Sequence, residues 1–372
     1  MRILQICTAF GHGGIQRHVI ELSQSLREEG HDVFLAGSPG PWEALIAGFD
    51  YLLLDLVNVS NEGGPALRRL SRMIVSAFRL RRYLKKQGIS IIHAHESAPA
   101  IVARIASFGM KIPVVLTYHG SAPARVRYYG RVARLTAWHV ITPSNRCAEE
   151  LQEQAGLASR DVSVIGLGVQ PAPPIDPQEV AAHRAAILGA DGKLLVVIIA
   201  RLAYQKGIDI LVEVVRLVKA ARQDIRFVVI GDGPLLEQAR VWAASAGVET
   251  MLQFHGESSA PYLYLKASDL FLLTSRWEAL PITIAEAFQV GLPVVAADAG
   301  GVRELVSPAV GRVLPVGDAA GLSAAVMEIC GNPALRQSMS EAALTTSKEV
   351  RFSLSAAHKS IADLYNKILT RQ

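Results

Sequence analysis

The stretch from Asp269 to Glu304 constrains the fold of this 372-residue chain more than any other stretch. It begins with a short apolar run, Phe271–Thr274, of the kind that forms a fully buried parallel strand. Pro281 fits the first turn of a following helix, where its missing N–H costs nothing. Gly291 ends that helix, and the apolar residues after Pro293 predict the next strand. This order of elements predicts an α/β domain with a parallel sheet.

Two glutamates in this stretch are candidate ligand contacts. Glu278 falls on the loop at the carboxyl end of the first strand, where open α/β sheets bind ligands. Glu286 lies inside the helix, about 8 Å of axial rise beyond Pro281. Two carboxylates placed in this way can hold opposite ends of one hydroxyl-rich ligand. A second glycine-containing loop opens the next helix, and the free N–H groups there predict an anion site at Gly300 and Gly301.

The spacing of Glu278 and Glu286, with Gly-Leu-Pro-Val-Val following from Gly291, resembles the signature of the retaining glycosyltransferases of family 4. The resemblance implies the GT-B fold, in which two Rossmann-like domains with doubly wound parallel sheets face a central cleft. In that family the first Glu contacts hydroxyls of the donor sugar and the second contacts the nucleotide ribose. This chain departs from the pattern at Ala279, where the family usually has Gly, and the departure leaves the identity of the donor sugar open.

Three further segments match the family pattern. Gly13 and Gly14 lie in a loop after the first predicted strand, where the family approaches the donor phosphate and the acceptor; this loop does not read G-x-G-x-x-G, so the dinucleotide fingerprint is absent. His119 matches the histidine that hydrogen-bonds the donor sugar near the reaction centre. Arg201 and Lys206 match a clamp for the diphosphate, which two cations on one loop suit better than a single carboxylate does.

Together these matches predict a set of site residues. The resemblance implies catalytic roles for His119, Arg201, Lys206 and Glu278. His255-Gly256 resembles the segment that lines the nucleobase. The predicted donor-binding residues are Gly13, Gly14, Arg201, Lys206, His255, Gly256, Glu278, Ala279, Leu280, Glu286, Gly300 and Gly301.

The implied reaction transfers a sugar from a nucleotide-diphosphate-sugar to a hydroxyl acceptor with retention of configuration. The sequence has no Asp-x-Asp, the usual holder of a divalent metal on a nucleotide diphosphate. We therefore expect no metal and no cofactor, with Arg201, Lys206 and backbone amides balancing the phosphate charge. His93 and His95 end another predicted strand; because no carboxylate or Cys completes a metal set there, we expect them to pack or to shape the acceptor pocket.

The length of the chain predicts two domains. The prolines from Pro171 to Pro177 break regular structure and predict the linker between them. We expect an acceptor-side domain over residues 1–170, completed by a terminal helix over about 353–372 that the resemblance implies crosses back onto it. The nucleotide-sugar-binding domain then spans residues 171–352. Leu167 stands where the family usually has Asn, and Leu cannot replace it in hydrogen bonding.

The net charge of +5 is concentrated in the first 170 residues, which carry 19 Lys and Arg against 13 Asp and Glu. This excess indicates an anionic surface or substrate, but no nucleic-acid-binding motif accompanies it. Three distant cysteines fit a reducing compartment. No apolar run is long enough to span a bilayer and no signal peptide is recognisable, so we expect a cytoplasmic protein, with peripheral membrane association as an open alternative.

The segment Pro65–Gln87 is the candidate for that association. It predicts a basic helix on which apolar residues recur at helical spacing, and two interpretations stay open: a solvated helix packed on the sheet, or docking on anionic lipid. The apolar positions are Leu67, Leu70, Ile74, Phe78 and Leu84. Membrane docking would fit an acceptor that is a lipid-linked glycan in surface polysaccharide assembly.

Two other functions compete with transfer. One is a GT-B epimerase that alters a nucleotide-sugar without an acceptor; such enzymes need carboxylates for proton abstraction, and the pattern around Glu278 and Glu286 argues against it. The other is a non-catalytic partner that binds a nucleotide-sugar or a lipid. The departures at Ala279 and Leu167 keep this alternative open.

Overall fold

The structure, a computed structural model, describes residues 1–11, 13–57, 66–189 and 193–371. They form two compact units, one of Met1–Leu167 with Leu354–Gln372 and one of Gly168–Ser353. His12 in the first predicted loop and Pro65 at the predicted start of the basic helix lie outside the described residues.

The first unit is a seven-stranded parallel sheet flanked by helices. Its elements in chain order are β1 (Arg2–Ala9), α1 (Gly14–Glu28), β2 (Asp32–Ser38), β3 (Asp50–Leu53), α2 (Ala66–Gln87), β4 (Ile91–Ala94), α3 (Ser97–Ala106), β5 (Val114–Thr117), α4 (Val126–Thr136), β6 (His139–Thr142), α5 (Asn145–Ala155), β7 (Val162–Val164) and the terminal helix α14 (Leu354–Leu369).

The second unit repeats this plan with a six-stranded sheet. Its elements are α6 (Pro177–Leu188), β8 (Leu194–Ile199), α7 (Ile208–Ala221), β9 (Ile225–Ile230), α8 (Leu236–Ser245), β10 (Leu252–Gly256), α9 (Pro261–Ala267), β11 (Leu270–Leu273), α10 (Ile282–Gln289), β12 (Val294–Ala297), α11 (Val302–Leu305), β13 (Gly311–Leu314), α12 (Ala319–Gly331) and α13 (Pro333–Thr346).

The strand order places the functional loops. The first sheet runs β3-β2-β1-β4-β5-β6-β7 and the second runs β10-β9-β8-β11-β12-β13. Each order reverses direction beside the first strand of its unit, between β1 and β4 and between β8 and β11. Loops that leave the carboxyl ends of neighbouring strands at such a point diverge and open a crevice. The predicted doubly wound parallel sheets are therefore confirmed, and the loops after β8 and β11 are brought side by side.

The terminal helix α14 packs in the first unit. Its residues Ile361, Leu364 and Tyr365 lie buried in one apolar cluster with Ile3 of β1 and Leu22 of α1. This burial explains why a helix at the end of the chain is held in the first unit, since it removes a complete apolar face from water.

The helix α2 forms as predicted, and four of the five apolar residues of its stripe are exposed. Leu67 and Phe78 are 84% and 66% exposed, and Leu70 and Ile74 are exposed as well. Of the five apolar positions only Leu84 is buried, and Ala77 and Leu80 of the same helix are buried as well. Helical spacing identifies a stripe without saying which side of the helix meets the sheet. The stripe of α2 faces solvent.

Candidate active site

The loops after β8 and β11 meet through an ion pair. Lys206 Nζ lies 2.5 Å from Glu278 Oε1, and the two side chains are only 21% and 8% exposed. Ser275 Oγ donates a second hydrogen bond of 2.6 Å to the same carboxylate oxygen. The pair forms because β8 and β11 are neighbours in the sheet, so the loop that ends each strand starts beside the other. The structure thus brings together two residues that the sequence placed 72 positions apart.

Additional contacts fasten these two loops to each other. The Arg276 guanidinium binds Asp209 at the start of α7 through two hydrogen bonds of 2.8 and 2.5 Å. It also stacks 4.0 Å above the ring of Tyr204. Hydrogen bonding from Arg276 lowers the pKa of Asp209, so the carboxylate stays charged. Gln205 Nε2 donates to Trp277 O at 2.9 Å. These contacts of Arg276 and Gln205 hold together the two loops that carry Lys206 and Glu278.

The loop after β12 supports Glu278 from its backbone side. Gly300 has φ of +58°, and a Cβ there would lie 1.8 Å from Glu278 O. Gly301 N donates to Ala279 O at 3.0 Å. The Gly301 amide is therefore already bonded within the protein, and α11 is a single turn of four residues; the donor contact of Gly300 and Gly301 stays a prediction. The two glycines contact the backbone of Glu278 and Ala279 and so position the loop that carries Glu278. The sequence did not predict this role.

Other predicted donor contacts lie on the same edge of the second sheet. Arg201 follows β8 and is exposed. Leu280 directly precedes Pro281, the residue before α10, and is half-buried. Glu286 lies inside α10 and is only 3% exposed. Its contact with a ribose, and the contact of Arg201 with a diphosphate, stay predictions.

The predicted nucleobase segment ends β10. The exposed His255 ring hydrogen-bonds through Nε2 to Tyr264 Oη at 2.7 Å. Gly256 pairs with Gly231 at the end of β9, where Gly231 N donates to Gly256 O at 2.8 Å. These contacts fix the backbone at the end of the strand. The nucleobase role of His255 and Gly256 stays a prediction.

In the first unit, His119 belongs to a cluster of imidazoles. The His95 ring lies 5.7 Å from the His119 ring and 4.1 Å from the His93 ring, measured between centroids. His18 of α1 lies 5.6 Å from both His95 and His119, and 6.0 Å from His358 of α14. Gly13 and Gly14, which the sequence placed at the donor phosphate, are exposed at the start of α1.

Burial keeps this cluster neutral. Loss of hydration lowers the pKa of His119 and of His358 to about 4 and that of His93 to about 3. The pKa values of His18 and His95 are lowered by the same burial and by neighbouring imidazoles. At neutral pH each ring therefore carries one N–H donor and one acceptor nitrogen.

The buried histidine cluster should make the free energy of unfolding decrease as the pH falls. An unfolded histidine takes up a proton below its usual pKa of about 6.5, whereas the folded His358 resists it down to about 4. Stability is thus full above pH 6.5 and is lost as pH falls, by on the order of 2 kcal/mol for this ring at pH 5. In urea titrations, His358→Leu should reduce the difference in free energy of unfolding between pH 7 and pH 5 by this amount.

His358 suits that experiment because both of its ring nitrogens are buried without a hydrogen-bond partner in the described part of the chain. The substitution therefore breaks no hydrogen bond of that set. The neighbouring exposed position supplies the control, and Lys359→Leu should leave the pH dependence as it is in the parent protein. A His358→Leu protein with the parent pH dependence would contradict the assignment.

Several site residues escaped the sequence analysis. Ser275 is next to a predicted strand end, a position that could have signalled it. His18 lies on the inner face of α1, where a polar residue among Val19 and Leu22 is such a signal. Gln5 and Tyr365, which are buried beside His93, occur inside an apolar strand and an apolar helix face and gave no local indication.

The described residues contain neither a cluster of metal ligands nor a membrane-spanning helix. Across 1–11, 13–57, 66–189 and 193–371, no group of three or more His, Cys, Asp or Glu side chains is arranged to hold a metal ion. In the same ranges, no helix combines the length and the apolar character needed to cross a membrane.

Comparison with known families shows to which family the chain belongs. Residues 180–346 match the family described as "Glycosyl transferases group 1", and residues 12–172 match "Glycosyltransferase Family 4". The two matches together span most of the chain. The chain belongs to the family 4 glycosyltransferases. It is therefore an enzyme of the transferase class, as the resemblance of the two-glutamate stretch implied.

Individual relatives of the transferase agree with this assignment. It is 26% identical over 313 residues to an alpha-D-kanosaminyltransferase of Streptomyces kanamyceticus, covering 78% of this chain and 80% of that one. It is 26% identical over 374 residues to the lipopolysaccharide core biosynthesis glycosyltransferase LpsD of Rhizobium meliloti, covering 99% and 98%. The structure of Anabaena Alr3699/HepE in complex with UDP-glucose aligns with a TM-score of 0.83 at 22% identity, covering 99% and 100%. The transferase has the GT-B fold.

Proposed function

We propose that this transferase moves a sugar from a nucleotide-diphosphate-sugar to a hydroxyl acceptor, with retention of configuration and without a divalent metal. The observation that supports this most is the ion pair between Lys206 and Glu278 on neighbouring loops of the second sheet. It places a cation for a phosphate and a carboxylate for sugar hydroxyls side by side. A nucleotide-sugar carries these two kinds of group on either side of the bond that breaks.

In this proposal the positive charge of the protein does the work of a metal. As the sugar–phosphate bond breaks, negative charge grows on the diphosphate, and a cation held in place stabilises it without reorganisation. Lys206 is held by Glu278, and Arg201 starts the same loop. The anomeric carbon develops oxocarbenium character while Glu278 holds the sugar hydroxyls. The departing phosphate oxygen takes the proton of the acceptor hydroxyl.

His119 would contact a sugar hydroxyl from the first unit. Its burial lowers its pKa to about 4, so the ring is neutral at physiological pH and acts through a hydrogen bond and not through charge. The name of LpsD and the sugar-nucleotide complex of HepE support a sugar-nucleotide donor and a glycan acceptor. We extend this to a lipid-linked glycan in surface polysaccharide assembly, on the cytoplasmic side of the membrane.

A donor screen tests the proposal directly. UDP-, GDP- and ADP-sugars are added singly, and the cognate donor should raise the melting temperature because a ligand that binds only the folded state stabilises it by mass action. With that donor and a glycolipid acceptor, NMR of the product should show the anomeric configuration of the donor. Rates should be equal with and without EDTA. Inversion at the anomeric carbon, or loss of transfer in EDTA, would overturn the respective part of the proposal.

The exposed stripe of α2 supports docking on an anionic membrane surface. The α2 patch consists of Leu67, Leu70, Ile74, Val75 and Phe78, all of them exposed. The cations Arg68, Arg79 and Arg82 are exposed on the same helix. Arg81 holds the helix in place by donating to Ala106 O at 2.8 Å and Phe108 O at 2.7 Å. Apolar side chains flanked by arginine suit the headgroup region of a bilayer that contains anionic lipid.

Vesicle flotation should show this docking. Binding should be stronger to phosphatidylcholine vesicles that contain phosphatidylglycerol than to phosphatidylcholine alone. Phe78→Ser should weaken binding at least tenfold, because burying a Phe side chain is worth about 1.5–3 kcal/mol. Leu135→Ser on α4 is the matched control, since Leu135 is 76% exposed outside the patch, and it should change nothing. Equal binding to both vesicle types, or equal losses in the two variants, would argue against the α2 patch.

A further inference from the structure

A chain of buried polar groups connects the terminal helix α14 with His119. It starts at Tyr365, whose Oη lies 2.5 Å from His93 Nδ1 and accepts a 3.3 Å hydrogen bond from Gln5 Nε2. Gln5 of β1 is the next group in this hydrogen-bonded chain, and its Oε1 lies 2.8 Å from His95 Nε2. His95 Nδ1 lies 3.4 Å from His119 Nε2. Tyr365, Gln5, His93 and His95 are completely buried.

The amide of Gln5 gives this chain a direction, because it has a donor end and an acceptor end. Its NH2 group faces Tyr365, so its oxygen faces His95 and must accept. His95 therefore carries its proton on Nε2. A neutral imidazole has only one N–H, so His95 Nδ1 is an acceptor and the proton between the two rings belongs to His119 Nε2.

The second branch of the chain is consistent with this direction. Because Tyr365 Oη accepts from Gln5, its own O–H is available for His93 Nδ1. His93 then carries its proton on Nε2 and donates to Thr117 Oγ1 at 2.6 Å. Each of the five contacts among Thr117, His93, Tyr365, Gln5, His95 and His119 then joins one donor to one acceptor, as buried groups require. Burial, which lowers the pKa values of His93 and His95, keeps both rings in the neutral form that the pattern needs.

We propose that Tyr365 and Gln5 are positioning residues which, through His95, hold His119 in the tautomer protonated on Nε2, so that Nδ1 accepts a hydrogen bond from a substrate hydroxyl. The inference rests on the proposed contact between His119 and the donor sugar. It adds the polarity of that contact: the sugar must present an O–H donor. A fluoro-sugar at the contacted position, which only accepts, is rejected because it faces a lone pair.

The proposal is tested by a substitution that reverses the donor and acceptor roles of Gln5, His95 and His119. In Tyr365→Phe the packing of the ring is kept, but the Gln5 NH2 group loses its acceptor. The amide can then rotate and donate to His95 Nε2, which moves the His95 proton to Nδ1 and makes His119 Nε2 an acceptor. The His119 ring is then protonated on Nδ1, where the sugar hydroxyl should donate.

Nitrogen-15 NMR of histidine-labelled protein reads this tautomer without any substrate, and His119→Gln identifies the signals. We expect His119 to be protonated on Nε2 in the parent protein, and the Tyr365→Phe spectrum to show the Nδ1–H form. Tyr83→Phe is the matched control: it removes a tyrosine hydroxyl of α2 that donates to Asp50 of β3, and it should leave the tautomer unchanged. If Tyr365→Phe does not fold, Gln5→Leu removes the same constraint on His95.

Kinetics separate the inference from the function on which it rests. Tyr365→Phe should lower kcat/KM for the donor about tenfold, which corresponds to about 1.4 kcal/mol. A parent His119 protonated on Nδ1, or a tautomer that neither Tyr365→Phe nor Gln5→Leu changes, overturns the positioning role. A changed tautomer with unchanged kinetics supports the positioning role and overturns the part of His119 in transfer.

Discussion

Replacing Lys206 by Met should lower kcat/KM for the nucleotide-sugar about 100-fold. The ammonium group of Lys206 is the cation nearest Glu278, and the pair is braced by the contacts of Arg276 and Gln205. Loss of one preorganised group that stabilises developing charge typically costs a factor of about 10² to 10³ in rate. Methionine keeps most of the length of the side chain, so the loss reports on charge more than on packing. Initial rates over a range of donor concentrations measure it.

The substitution also leaves the Glu278 carboxylate, which is 8% exposed, without its cation. A partly buried charge that loses its partner destabilises the fold, by as much as about 3–5 kcal/mol in buried pairs. The double variant Lys206→Met with Glu278→Gln removes both charges and should recover most of the stability in urea titrations. It should not recover activity, because the diphosphate still lacks its cation.

The controls separate the two effects of Lys206. Lys219→Met removes a half-buried lysine on α7 of the same unit, one that bonds only to a loop carbonyl in the contacts described for it, and should leave the rate unchanged. Arg201→Ala should lower the rate at least tenfold, equivalent to about 1.4 kcal/mol or more. If the double variant regains activity, Lys206 serves only to balance Glu278. If Lys206→Met keeps the parent rate, the diphosphate clamp is wrong.

Local patterns in the sequence predicted most elements closely. The strand β11 spans Leu270–Leu273 where the sequence predicted Phe271–Thr274, and α2 spans Ala66–Gln87 where it predicted Pro65–Gln87. The pattern of apolar residues was sufficient for both.

Local sequence patterns could not predict contacts between segments that are distant in the sequence. The sequence placed Lys206 and Glu278 each at a strand end, but only the order of β8 and β11 in the sheet makes them neighbours. The family resemblance supplied that order, and the spacing did not. The hydrogen-bonded chain from Tyr365 to His119 depends on the packing of α14 against β1, and its members Gln5 and Tyr365 look like ordinary core positions in the sequence. The sequence left the orientation of α2 open for a related reason, since a helix stripe can face a partner or solvent.

Gly300→Ala should abolish most activity and destabilise the second unit by about 3 kcal/mol or more. The backbone at Gly300 has φ of +58°, which costs an L-residue about 1–2 kcal/mol. The new Cβ would also lie 1.8 Å from Glu278 O and 2.7 Å from Glu278 C. Neither atom can move by a side-chain rotation, because both belong to the backbone. The loop that carries Glu278 must therefore shift.

A shift of that loop should also lower the rate of sugar transfer. Relief of the overlap moves the Glu278 backbone by an ångström or so, and misplacement on that scale costs about 100-fold in rate. Glu278 would also move relative to Lys206 and Ser275, which now hold one of its oxygens at 2.5 and 2.6 Å. Both the free energy of unfolding, from urea titrations, and kcat/KM for the donor should fall together.

The second unit contains a matched control for the backbone strain. Gly317 has φ of +87°, and a Cβ there would meet no atom within 4 Å. Gly317→Ala therefore introduces the same kind of strain without a clash, and should cost about 1–2 kcal/mol of stability with the parent kcat/KM retained. The difference between the two variants isolates the close approach of Gly300 to Glu278. Equal losses of stability, or a fully active Gly300→Ala enzyme, would show that the loop after β12 does not position Glu278.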